Sequence, residues 1–264
     1  MALAKLSDVQ LFYRWDGPEG APVLVFSSSL GTTHHMWDPQ IEAFGKDFRV
    51  LRYDSRGHGE SSVTPGTYSI EMLAGDVVQL LDALKLERVF FCGLSIGGMV
   101  GMQLSSTAAS RFHKIVLSNT AAKIGTADTW NARITAVQQG GMKAIASPVI
   151  DRWLTAGWRA SHARETTTMQ EMLESADAVG YVATCAAVRD ADFRDKLHTI
   201  EAPTLIIAGT HDAGTTPADG HFLESKIRGA KYAELPTAHL SNIEAGEEFN
   251  RTVLGFLKSQ GAHG

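Results

Sequence analysis

Short apolar runs alternate along the chain with longer amphipathic stretches. Residues 9–15, 23–27, 49–53, 89–94, 114–118, 204–208 and 231–235 read as strands. The interior runs are nearly unbroken in Val, Leu, Ile and Phe, which suits strands covered on both faces. The turn Gly17-Pro18-Glu19-Gly20 separates the first two. Between strands, 70–84 sets Met72, Leu73, Val77, Leu80, Leu81 and Leu84 mostly on one helical face. Residues 96–105 form a helix of small side chains, and 247–257 read as a closing helix. Strand–helix alternation predicts an α/β chain: a mostly parallel, twisted sheet flanked by helices on both sides.

One stretch breaks this rhythm. From about residue 123 to 199 the pattern shows no convincing strand, and it holds Trp130, Trp153, Trp158 and Tyr181. The sheet resumes at Pro203-Thr204-Leu205-Ile206-Ile207. Some 80 residues are too many for one crossover. The expected organisation is a core of 1–122 and 200–264 with a helical cap of 123–199 inserted in it.

Composition narrows the class. The chain has 264 residues with 24 Lys+Arg against 29 Asp+Glu, a formal charge of −5. No block of like charge occurs, which argues against nucleic acid or an anionic membrane surface as partner. The 44% hydrophobic fraction is that of a folded globular protein. No apolar run reaches the roughly 18 residues needed to span a bilayer, and the first residues lack a signal-peptide core. A cytoplasmic protein is therefore expected. Cys92 and Cys185 have no metal-ligand spacing, and buried reduced thiols are the simplest reading.

The most specific feature is Gly93-Leu94-Ser95-Ile96-Gly97, a G-x-S-x-G between a strand and a helix. A serine on so sharp a turn needs neighbours without bulk two residues either side, and it sits at a helix N-terminus that favours negative charge. A serine hydroxyl is a weak nucleophile and needs a base. In a strand–turn–helix arrangement of this kind the partners follow in the order Ser, acid, His. His239 comes just after the last strand, and Asp212 ends the strand Ile206-Ile207-Ala208-Gly209. Ser95, Asp212 and His239 are the candidate catalytic residues. His211 is the chief rival histidine, but it precedes Asp212 directly and is expected to point away. His263 falls in the terminal tail. Asp190, Asp192 and Asp195 are expected to be solvated charges, while Asp54 and His58 belong to a glycine-turned supporting loop. Thr215-Thr216-Pro217 looks like a helix start. An oxyanion needs two fixed donors: the Ile96 N–H and, from the loop Ser27-Ser28-Ser29-Leu30-Gly31, the Leu30 N–H.

These residues resemble the α/β-hydrolase superfamily over nearly the whole chain, and within it the 3-oxoadipate enol-lactonases. The likeness rests on Ser28-Ser29-Leu30-Gly31-Thr32, His35-Met36-Trp37-Asp38-Pro39-Gln40, Tyr53-Asp54-Ser55-Arg56-Gly57-His58-Gly59 and Gly93 to Gly98. Asn119-Thr120-Ala121-Ala122-Lys123-Ile124-Gly125 and Cys185-Ala186-Ala187-Val188-Arg189-Asp190-Ala191-Asp192 favour that family in particular. Two departures stand out: Ser28-Ser29 opens the oxyanion loop, and Ala213-Gly214 follows Asp212, a pair expected to loosen the acid loop. The resemblance implies an α/β-hydrolase fold and hydrolysis of a five-membered enol lactone bearing a free carboxylate, in bacterial breakdown of aromatic compounds. The implied partner is thus a small anionic lactone, and a homo-oligomer is left open. No cofactor and no metal are implied. A carboxylate needs a cation nearby, and Arg133, Arg152, Arg159, Arg164 and Arg189 in the insertion are candidates. Arg133 is favoured, with Trp130 one turn before it, and Trp130 and Trp153 are candidate substrate-lining residues. A general carboxylesterase, a C–C bond hydrolase of the same fold, and a ligand receptor built on that fold remain alternatives.

Overall fold

The computed structural model describes residues 2–259, so His263 lies outside the described residues. Its strands are β1 (Ala2–Lys5), β2 (Gln10–Asp16), β3 (Val23–Ser27), β4 (Arg49–Tyr53), β5 (Val89–Leu94), β6 (Phe112–Ser118), β7 (Thr204–Gly209) and β8 (Lys231–Leu235). They form one sheet in the order β1-β2-β4-β3-β5-β6-β7-β8. Pairing is antiparallel for β1–β2 and β2–β4 and parallel from β4 to β8. The expected α/β architecture is therefore present, with strand bounds within two residues of those read from the pattern. Only β1 escaped that reading. It is a four-residue edge strand with one buried side chain, too short to carry a period.

The helices are α1 (Asp38–Phe44), α2 (Ile70–Ala83), α3 (Ile96–Thr107), α4 (Ala127–Gly140), α5 (Lys143–Trp153), α6 (Ala156–Ser161), α7 (Ala163–Glu174), α8 (Ala178–Asp190), α9 (Pro217–Lys226), α10 (Ser241–Glu244) and α11 (Gly246–Lys258). α2 packs on α3, and α1 packs on α11, as two separate groups that flank the sheet. Ser69 caps α2 by accepting the Met72 N–H. Met72 itself departs from the expected apolar face and is 37% exposed. The buried stripe runs through Ile70, Leu73, Ala74, Val77, Leu80 and Leu81, and Met72 lies about 100° around the helix from Leu73.

α4 to α8 all lie between β6 and β7, with α4 on α8 and α5 on α7. The parallel strands end together, as the register pairs Ser27 with Gly93, Leu94 with Ser118 and Gly209 with Leu235. Their C-terminal ends form one edge, where open α/β sheets gather their functional loops. Two buried arginines brace the loops near that edge. Arg52 pairs with Asp16 and Asp38, and Arg56 pairs with Asp8 and Asp76. No helix among the described residues is long and apolar enough to cross a membrane. Cys92 and Cys185 are free and buried, and burial pushes both thiols up from their ordinary range.

Candidate active site

Ser95 stands between β5 and α3 with φ 60° and ψ −116°, a left-handed conformation that a side chain adopts only when its surroundings impose it. The flanking glycines show how. A Cβ on Gly93 would lie 2.1 Å from the Gly97 carbonyl oxygen, and one on Gly97 would lie 2.2 Å from the Ser27 carbonyl oxygen. The turn is therefore closed on itself and pressed against the end of β3. The Ser95 N–H donates to the Ser118 carbonyl at 2.9 Å. Thr120 Oγ1 donates to the Ser95 carbonyl at 2.8 Å. The serine is thus fixed from two neighbouring strand ends.

Asp212 follows β7 and is 3% exposed. Its Oδ1 accepts the N–H groups of Gly214 at 2.9 Å and Thr215 at 3.0 Å. These two backbone donors hold the carboxylate within its own loop. Oδ2 accepts the Thr215 hydroxyl at 2.7 Å, Asn119 Nδ2 at 3.3 Å and His239 Nδ1 at 2.7 Å. Burial alone would raise this carboxyl. The attraction and hydrogen bond of His239 and the bonds from Thr215 outweigh it and hold Asp212 down at about 2. An ionised carboxylate only accepts, so the proton of neutral His239 sits on Nδ1 and Nε2 keeps its lone pair.

Ser95, Asp212 and His239 line one cleft. The same cleft is lined by Leu30, Trp130, Arg133, Arg152, Trp153 and Tyr181. The three residues expected from chain order are therefore brought together across β5, β7 and β8. Leu30 and Ile96 both line a second, smaller cavity. Two bonds tie the loop carrying Leu30 to residues beyond its own turn. The Trp37 indole N–H donates to Ser28 Oγ at 3.2 Å, and the Gly31 N–H donates to His58 Nε2 at 3.1 Å. His58 and Asp54 are thus supporting groups, as their motif suggested; Asp54 accepts the N–H groups of His34 and Glu60.

Of the five candidate arginines, Arg133 and Arg152 reach the cleft. Arg159 pairs with Asp151 and Arg189 with Asp190, while Arg164 is exposed away from the cleft. Neither Arg133 nor Arg152 forms an ion pair with a carboxylate among the described residues. The Arg133 guanidinium lies 4.7 Å from the Trp130 ring centroid. Burial pushes the Tyr181 phenol up, and nearby Arg133 pulls it part of the way back. Trp130 is anchored by its indole N–H on the Ile124 carbonyl at 2.6 Å. Trp158 lies elsewhere, stacked on His162. His211 is exposed, and Asp190 and Asp192 are surface charges paired with arginines, as expected.

Sequence reasoning missed Thr215, Asn119 and Tyr181 as site residues. Thr215 was absorbed into a helix start, but the cap of α9 is Thr216. Asn119 has φ 44° and donates to both Asp212 and the Ala238 carbonyl. A polar residue directly after β6, inside a family-like motif, was the available signal.

The fold and this cleft define an α/β hydrolase, and residues 22–246 match the alpha/beta hydrolase fold family. The chain is 42% identical to 3-oxoadipate enol-lactonase 1 of Acinetobacter baylyi, over 92% of this chain and 91% of that one. It is 40% identical to 3-oxoadipate enol-lactonase 2 of the same organism, over 95% and 94%. Among solved structures, the enol-lactonase from Burkholderia xenovorans LB400 superposes with a TM-score of 0.96 at 43% identity, covering 98% of this chain and 100% of that one. The chain belongs to the α/β-hydrolase family and, within it, to the group of the 3-oxoadipate enol-lactonases.

Proposed function

We propose that the protein is a serine hydrolase that opens 3-oxoadipate enol-lactone to 3-oxoadipate, in the cytoplasm, as a step of aromatic-compound catabolism. Ser95 Oγ attacks the lactone carbonyl while His239 Nε2 takes its proton. Asp212 keeps the imidazole in the required tautomer and stabilises its cation. The Leu30 and Ile96 N–H groups hold the oxyanion, which carries charge only during reaction, so their effect falls on the transition state. The carbon–oxygen bond of the ring breaks, and His239 returns its proton to the departing enol oxygen. Water, deprotonated by His239, then attacks the acyl-enzyme carbonyl; the ester bond to Ser95 breaks, His239 returns the proton to Ser95 Oγ, and the new acid leaves and ionises. Tautomerisation of the enol to a ketone disfavours return.

Residues 123–199 serve as a cap over the core of 1–122 and 200–264 and supply the substrate contacts. Arg133 pairs with the free carboxylate of the lactone, and Trp130 and Trp153 enclose the ring. The observation that carries this reading is that Arg133 and Arg152 share the cleft of Ser95 and His239 without a carboxylate partner among the described residues, and that Arg133 is also seated on the Trp130 ring. A guanidinium fork fits a carboxylate bidentately.

The test is lactone consumption followed with freshly generated enol lactone. Wild-type protein is expected to turn over many times, and Ser95→Ala to lose at least about a thousandfold in kcat with its circular dichroism unchanged. Near wild-type activity in Ser95→Ala would overturn the mechanism. A neutral nitrophenyl ester hydrolysed far faster than the lactone would favour a general esterase instead.

A further inference from the structure

One carboxylate outside the cleft lining joins two parts of the molecule that the proposed reaction needs in register. Glu244 ends α10, five residues after His239. Its Oε2 accepts the Ala238 N–H at 2.8 Å. Its Oε1 accepts the Thr155 N–H at 3.1 Å and also the Thr155 hydroxyl. Thr155 stands between α5 and α6 and caps α6 by accepting the Trp158 N–H. A second tie runs alongside: the Leu240 N–H donates to the Trp153 carbonyl at 3.0 Å. Both neighbours of His239 are therefore bonded to the same three-residue stretch of the insertion, Leu240 directly and Ala238 through Glu244. Trp153, at one end of that stretch, lines the cleft.

The bond from His239 to Asp212 fixes the tautomer of the imidazole, but it leaves the ring free to swing about Nδ1. The backbone on either side decides where Nε2 lies. A carboxylate suits the bridging position because all its lone pairs accept, and the three groups aimed at Glu244 are all donors. Alanine would leave those donors unmet. Glutamine would keep one carbonyl for the Ala238 N–H but turn an amide N–H₂ toward the Thr155 N–H.

We propose that Glu244 is a positioning residue that couples the Trp153–Thr155 stretch to His239, so that the helical insertion and the base keep one register. This rests on the reading of His239 as the base. Misplacing a reacting group by about 1 Å can lower a rate by about a hundredfold, so a loosened loop acts on the chemical step for any ester, including one too small to touch the insertion.

The experiment compares Glu244→Ala and Glu244→Gln on the enol lactone and on p-nitrophenyl acetate, with rates expressed per site titrated by a phosphonate that labels Ser95. Glu244→Ala is expected to lose roughly tenfold or more in kcat on both substrates with KM changed less than about threefold. Glu244→Gln should recover most of that kcat, because the bond nearest His239 survives. Adding Thr155→Val to Glu244→Ala should cost little further, since both act through one bridge. Unchanged kcat per titrated site, losses confined to the KM of the lactone, or additive losses in the double variant would each overturn the proposal. Failure of the wild type on the lactone alone would overturn the substrate assignment, and the acetate arm would still decide the role of Glu244.

Discussion

In the proposed reaction, substrate choice turns on Arg133. It shares the cleft with the serine and the histidine, leans on Trp130 and meets no carboxylate among the described residues. A hydrogen-bonded charge of this kind contributes about 1.5–3 kcal/mol, which is roughly 10- to 150-fold in binding. Arg133→Ala is therefore expected to raise KM for the carboxylate-bearing lactone by about that factor and to leave a neutral ester within about threefold. Arg133→Lys should fall between, because an ammonium keeps the charge and loses the fork. Parallel kinetics on the two substrates check this, and equal losses on both would remove Arg133 from carboxylate recognition. Ser95, Asp212 and His239 were legible in the sequence because each follows a recognisable strand and their order along the chain is constrained. Asn119 was not: its partner Asp212 lies 93 residues away, and its motif marks a polar position without naming that partner. Glu244 was hidden for the same reason, since Thr155 is 89 residues distant.

At the scale of elements, the decisive contact is between the turn at Ser95 and the end of β3. β3 delivers the loop bearing Leu30, β5 delivers Ser95, and the two strands are adjacent and parallel. Gly97 is where α3 touches the Ser27 carbonyl, and a backbone oxygen cannot swing aside as a side chain can. Gly97→Ala is expected to push α3 off β3, separating the Ile96 and Leu30 donors. Kcat should fall by about a hundredfold, and the melting temperature should drop by several degrees, in line with roughly 2 kcal/mol of overpacking. Steady-state kinetics beside a thermal melt test this, and a variant with normal kcat would show that the turn can shift without consequence. The strands and the helix after Ser95 could be read from the sequence because burial on both faces forces apolar runs. The insertion could be read only as a helical stretch. α4 shows a weak apolar stripe with Trp130 and Val137 as its buried residues, so which side faces the cleft is decided by its packing on α8 and α5.

Across the whole molecule, stability and the shape of the loop bearing Leu30 meet at one buried imidazole. His58 is 4% exposed, and burial lowers its pKa despite the Arg56 carbonyl and the charges of Asp54 and Asp177, which pull the other way. Its Nε2 accepts the Gly31 N–H, so its Nδ1 carries the proton and points toward the Arg56 carbonyl at 3.3 Å. The unfolded chain binds a proton to this histidine near pH 6.5, whereas the folded chain resists doing so until lower pH. The stabilisation from neutral His58 is thus complete above about 6.5 and is lost as pH falls below it, at up to about 1.4 kcal/mol per pH unit. Asp212, held at about 2, has the same sign in a lower window: its contribution fades only below about pH 4. Protonation of His58 in the folded chain, at a pH below that at which the unfolded chain takes up its proton, removes the acceptor for Gly31, so the loop bearing Leu30 should loosen there. His58→Gln can accept from Gly31 and donate to Arg56 without titrating. Melts between pH 8 and pH 5 are expected to show the wild type losing several degrees more than His58→Gln below pH 6.5, with the two close at pH 8. Parallel slopes across that range would show that His58 binds its proton equally in the folded and unfolded chains and does not link proton uptake to the fold.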